Sequence, residues 1–221
     1  MKTPARLFAV VLTLAIGAPL AVSVAENNFN FANQQVHPLY EGLLPSGVTP
    51  KAAPLPADFK TAKLAVVSSA NFNRYVMIWN KASGRTKAFS LLGGIGLGEA
   101  LGPDNVTAKL LPLVTPHFSS AFAASDLADA RDKGADYILV VDYWCSAING
   151  GQRLKTRAGV YLLNAQLDEV LALHNESEAP MKISLFAPWN VLKDQEVSFA
   201  NGMAAVVDPL AAKIKAALAG G

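Results

Sequence analysis

Residues 137–163 read YILVVDYWCSAINGGQRLKTRAGVYLL, and the fold turns on how this stretch divides. Tyr137 to Cys145 is a nearly unbroken apolar run, the mark of a central strand covered on both faces. Asn149, Gly150 and Gly151 supply hairpin-turn chemistry. From Arg153 the pattern becomes an alternation: Leu154, Thr156, Ala158, Val160 and Leu162 point one way, Arg153, Lys155, Arg157 and Tyr161 the other. Asn164 to Asp168 turns the chain again, and Glu169 to His174 adds a third strand. The three predict an antiparallel meander.

On the amino-terminal side, Lys63 to Ser68 (KLAVVS) reads as a first buried strand. Asn71 to Arg74 follows as a loop, and Tyr75 to Trp79 as a second short strand or a helical turn. Thr115 and Pro116 form a helix start, with Phe118, Ala121 and Phe122 at helical spacing. Ser125 caps a further turn carrying Leu127 and Ala130, which Gly134 ends. Beyond a proline-containing loop with Pro180, Pro188 and Trp189, the residues Met203, Val206, Val207, Leu210, Ile214 and Leu218 make one apolar face. They predict a helix over about 198–218 that Pro209 kinks or divides. The predicted fold is therefore α/β of the α+β kind, a layered sandwich of helices on a mostly antiparallel sheet, spanning residues 63–221.

The first 25 residues read differently. Lys2 and Arg6 precede an uncharged run from Leu7 to Ala25, and Ser23 and Ala25 fit a small-residue cleavage site. Residues 1–25 are read as a signal peptide, with an uncleaved anchor as the alternative; the run is short for a comfortable membrane span. No cysteine near the cleavage point offers a lipid anchor, so the expected location is periplasmic or secreted. Residues 26–62, first Asn-rich and then Pro-rich, form an extended arm whose Phe29, Phe31, Tyr40, Leu43 and Leu44 either dock on the domain or leave it a loose linker.

Composition narrows the function. At 52% apolar and 16% charged residues over 221 positions, the chain can bury a sizeable core and is no disordered polymer. Removing Lys2 and Arg6 with the leader leaves 17 Asp and Glu facing an equal number of Lys and Arg. A neutral mature chain lacks the cationic surplus that phosphate backbones demand, which sets nucleic acid aside. Cys145 is the only cysteine, so stability comes from packing and not from internal disulfides.

No catalytic constellation emerges. His37, His117 and His174 are scattered without metal-ligand spacing, so neither metal nor cofactor is expected. Asp142 near Cys145 is the best candidate for an unfamiliar enzymatic site, against a structural role for both. The glycines in FSLLGGIGLGEAL (89–101) lack a phosphate-loop pattern, but Gly94, Gly98 and Gly102 recur four apart and would form a smooth stripe on a helix. That stripe is a candidate for self-association or membrane-surface contact. Arg153, Lys155 and Arg157 form a basic stripe, and with Tyr143, Trp144 and Trp189 they could line a groove for a small ligand or polymer.

KLAVVSSANF, GADYILVVDYW, RLKTRAGVYLLNAQLDEVLAL and the terminal amphipathic helix together resemble the periplasmic α/β domain shared by the curli secretion channel, the penicillin-binding-protein activators and a Pel exopolysaccharide lipoprotein. GADYIL at 134–139 and LLNAQLDEVL at 162–171 carry most of the likeness. The resemblance implies a non-enzymatic assembly or docking module of the cell envelope, with an envelope protein or a second copy as partner. The missing anchor cysteine and the segment 93–102 depart from that group.

Overall fold

The computed structural model describes residues 36–44, 48–78, 103–149, 152–181 and 188–219. Five strands form one sheet in the order β2-β1-β3-β4-β5. They are β1 (Lys63–Ser68), β2 (Ser120–Ala123), β3 (Tyr137–Ile148), β4 (Arg153–Asn164) and β5 (Glu169–Pro180). β1 pairs in parallel with both β2 and β3, while β3, β4 and β5 make the antiparallel meander. The fold is the expected α+β kind, but the sheet is mixed, with two parallel and two antiparallel strand pairings.

β3 is buried along nearly its whole length, as its apolar run requires. Its odd-numbered residues Leu139, Val141, Tyr143 and Cys145 face inward with Leu154, Ala158, Val160 and Leu162 of β4. Helix α4 (Pro188–Ala219) covers this inner face with Met203, Val206, Val207, Leu210, Ile214 and Leu218. Helix α2 (Pro103–Val114) adds Val106, Leu110 and Val114, four apart on one side, and α1 (70–78) adds Phe72 and Tyr75. Each fully buried side chain of this size contributes roughly 1.5–3 kcal/mol, so this face is the main source of stability. At Gly202 the backbone of α4 comes so near β4 that a Cβ would stand 2.7 Å from Leu154 Cδ2.

The outer face is smaller. Ala65, Val67, Ile138, Val140, Tyr161 and Leu163 are covered by Leu127 and Ala130 of α3 (Leu127–Asp132) and by Leu39, Tyr40, Leu43 and Leu44 of the arm. These arm residues therefore lie on the domain; Phe29 and Phe31 fall outside the described residues. α3 is bounded by explicit signals. Asp126 accepts the Asp129 N–H at 2.9 Å while Asp129 accepts the Ser125 N–H at 2.9 Å, a reciprocal cap. Gly134, at φ +73°, closes the other end.

Several local expectations fail. Phe118 to Phe122 is not helical: after a short 3-10 turn at Thr115–His117 the chain enters β2, whose Ser120 to Ala123 pair with Lys63 to Val66. Pairing with a strand outweighs a four-residue spacing of phenylalanines. Asn71 to Arg74 are helical and not a loop, Tyr75 takes the helical of its two expected forms, and helix α2 has no counterpart in the expected elements. Pro180 ends β5, Pro188 and Trp189 open α4 instead of lying in a loop, and Pro209 sits inside α4 without dividing it.

Candidate contact surface

At the carboxyl end of β1 the chain turns into α1, and Ser69 caps that helix by accepting the Phe72 N–H at 3.0 Å. The same hydroxyl donates to Asp142 Oδ1 at 2.6 Å, and Asn71 Nδ2 donates to that oxygen at 3.1 Å. Asp142 is 1% exposed, and a buried carboxylate needs such donors. Asn71 also holds the arm, accepting the His37 N–H at 2.8 Å and donating to the His37 carbonyl at 3.1 Å. One carboxylate thus joins β3, α1 and the arm.

Cys145 stands on the opposite face of β3, fully buried, its thiol pushed up to about 12 by burial despite a hydrogen bond from Thr156. Asp142 and Cys145 therefore do not converge as one site. Tyr143 likewise points inward, against Tyr75 at a ring separation of 4.6 Å. It cannot share a groove with Trp144, so Tyr143 drops out of the expected groove lining. Trp189 lies in the first turn of α4, and its side chain falls outside what the structure describes, as do Gly94, Gly98 and Gly102.

The basic stripe occupies the outer face of β4, and β5 answers it. Arg153 Nε lies 2.5 Å from Glu178 Oε1 and Lys155 Nζ 2.6 Å from Glu176 Oε1, all four side chains being about two-fifths exposed. Arg157 lies down on that outer face instead: Nη2 donates to the Tyr161 hydroxyl at 2.8 Å, and Nε stands 3.9 Å from Asp142 Oδ2 without a hydrogen-bond partner. Burial opposes its charge, but Tyr161 and the carboxylates of Asp142 and Glu176 outweigh burial and raise its pKa. Trp144 pairs in register with Arg157, and Lys155 Nζ lies 5.9 Å from the centre of its ring. Glu176 and Glu178, missed in the sequence, were signalled by acidic residues two apart in NESE after His174.

β5 is an edge strand of 12 residues, bonded along its length to β4. On its other side the described hydrogen bonds are few. Glu169 bonds with Lys51 and Ala53, and Lys213 Nζ caps the His174 carbonyl at 2.8 Å. Among the described residues no group of His, Cys, Asp and Glu is placed to hold a metal ion, and no helix is long and apolar enough to cross a membrane.

No family model and no curated protein matches the chain. Among solved structures, a PelC dodecamer from Paraburkholderia phytofirmans is similar at 14% identity and TM-score 0.34, covering 69% of this chain and 92% of that one. A substituted PelC dodecamer from the same organism gives 13% identity and TM-score 0.35, covering 69% and 93%. A Xanthomonas campestris protein of family DUF330 gives 10% and 0.34, covering 77% and 92%. The likeness is loose, and the reading of the surface rests on its own geometry.

Proposed function

We propose that the chain is exported and serves the cell envelope as a docking module, acting by contact with a second copy of itself or with another envelope protein. The signal layout of residues 1–25 supports export. The observation that carries the docking reading is the charged ladder on the edge strand, Arg153 and Lys155 against Glu178 and Glu176. Exposed pairs of this kind hold about 0–1 kcal/mol, so their partners exchange at little cost. A facing strand of alternating charge can meet them while using the edge backbone of β5. The glycine stripe at Gly94, Gly98 and Gly102 is proposed as a second contact element, on a partner or at a membrane surface.

Light scattering of the chain from Glu26 tests this. The native protein associates, Glu176→Lys with Glu178→Lys weakens association, and deletion of residues 88–102 reports the part played by the glycine stripe. A native chain that stays monomeric and cross-links to no envelope protein overturns the reading.

A second reading, polymer or small-ligand binding, draws on Trp144 Nε1 and Arg157 Nε, two buried N–H groups without partners on paired residues. Acceptor oxygens of a sugar or carboxylate would suit them. Quenching of tryptophan fluorescence by anionic oligosaccharides, lost in Trp144→Phe, checks it.

A further inference from the structure

We propose that residues 36–44 form a cover over the outer face of the sheet that loosens on acidification, with His37 as the proton sensor. The imidazole lies between two groups of opposite kind. Its Nδ1 is 3.0 Å from Glu41 Oε2, and its Nε2 is 3.2 Å from Arg74 Nη1. A carboxylate only accepts and a guanidinium only donates, so the neutral ring with its proton on Nδ1 satisfies both. A second proton, on Nε2, sets donor against donor and cation against cation at Arg74.

The two sides of this imidazole differ in what they hold. Glu41 belongs to the arm itself, four residues on, and its pairing with a charged His37 travels with the arm. Arg74 belongs to α1 and so to the body of the domain. Protonation therefore strengthens a bond inside the cover and breaks one that fastens it. Arg74 is poorly placed to compensate, because its Nε is already buried without a partner. The other ionisable groups about the arm are Asp142 on β3, reached through Asn71, Arg157 and Tyr161 on β4, and Glu169 on β5, which accepts from the Tyr40 hydroxyl. The test spans about pH 8 to about pH 5.5, a window that brackets the ordinary imidazole range and stays above the ordinary carboxylate range.

Under the cover lie Ala65, Val67, Ile138, Val140 and Leu163, all buried. Loosening exposes an apolar face on the side of the sheet that carries the charged ladder.

Hydrogen exchange of the full chain, read by mass spectrometry and corrected for intrinsic rates, tests the proposal. The reporters are arm peptides that carry the His37 amide, which bonds to Asn71 Oδ1 across the seam between the arm and the body of the domain. Their exchange rises about tenfold on acidification across that window, the loss of one hydrogen bond to a charged group, while the β3 amides stay unchanged. In His37→Gln, which keeps a donor and an acceptor but takes no proton, the response disappears. Arg74→Met, which removes the opposing cation, leaves the arm as protected in acid as at neutrality. Equal arm protection at both pH values in the native chain, or acid loosening that persists in either variant, overturns it.

Discussion

Tyr161 folds its ring back along β4 over Gly159, so that a Cβ at position 159 would stand 2.6 Å from Cε2 and 2.8 Å from the phenol oxygen. Position 159 therefore sets where the phenol lies, and the phenol in turn holds Arg157. Gly159→Ala displaces the ring, breaks the Arg157–Tyr161 hydrogen bond and costs about 1–3 kcal/mol, the range for overfilling a packed site. Urea unfolding measures the loss. Tyr161→Phe, which removes the hydroxyl and keeps the ring, costs about 1 kcal/mol.

Asp142 has a structural task that its removal exposes. Asp142→Ala leaves the Ser69 hydroxyl and an Asn71 N–H facing an empty acceptor position and takes from Arg157 its nearest carboxylate. The expected loss is on the order of 3 kcal/mol, and Asp142→Asn, which retains one acceptor oxygen, loses about half as much. Arm amides lose protection with it, because Asn71 is the shared link. Thermal unfolding and exchange on the same variants check both.

Acid acts separately on α3. The Asp129 N–H, ahead of the Ser125 hydroxyl, lowers the pKa of Asp126; Lys133, ahead of the Ser125 N–H, lowers that of Asp129. Groups depressed on folding contribute stability that is fully present above their unfolded value of 3.8 and is lost as pH falls through the folded values. Amides of α3 should hold their protection at pH 5 and lose it below about pH 3.5, earlier than those of β3. Asp126→Ala removes the cap and brings the loss to neutral pH.

Gly202 tests the seat of α4 on β4. Alanine there gains about 1 kcal/mol of helix propensity but meets Leu154 Cδ2 at 2.7 Å and Thr156 Oγ1 at 3.0 Å. Crowding prevails, so Gly202→Ala destabilises by about 1–2 kcal/mol. Leu154→Val should cost less in that background than in the native chain. A double-mutant cycle in denaturant reads the coupling, and its absence would show that the helix shifts as a body.

What the sequence discloses follows from where the information sits. β3 and β4 are legible because burial on two faces and on one face leave different local patterns, in YILVVDYWC and in the alternation after Arg153. β5 past His174 is not, since NESEAP is polar on both faces and makes sense only beside the basic stripe it pairs with. β2 is masked by Phe118 and Phe122, whose separation imitates a helix turn. The junction at Asp142 is illegible for another reason: Ser69 and Asn71 lie 73 and 71 residues away, and nothing local marks them as its partners. The stripe itself is visible, but not the acids that neutralise it.

The cover laid by Leu39, Tyr40, Leu43 and Leu44 bears on how the protein is handled in the laboratory. A fragment trimmed to Lys63, where the first strand opens, would leave Ala65, Val67, Ile138 and Val140 wet and should precipitate or clump. One begun ahead of Val36 keeps the cover in place, so the useful expression boundary lies upstream of the sheet and not at its first residue.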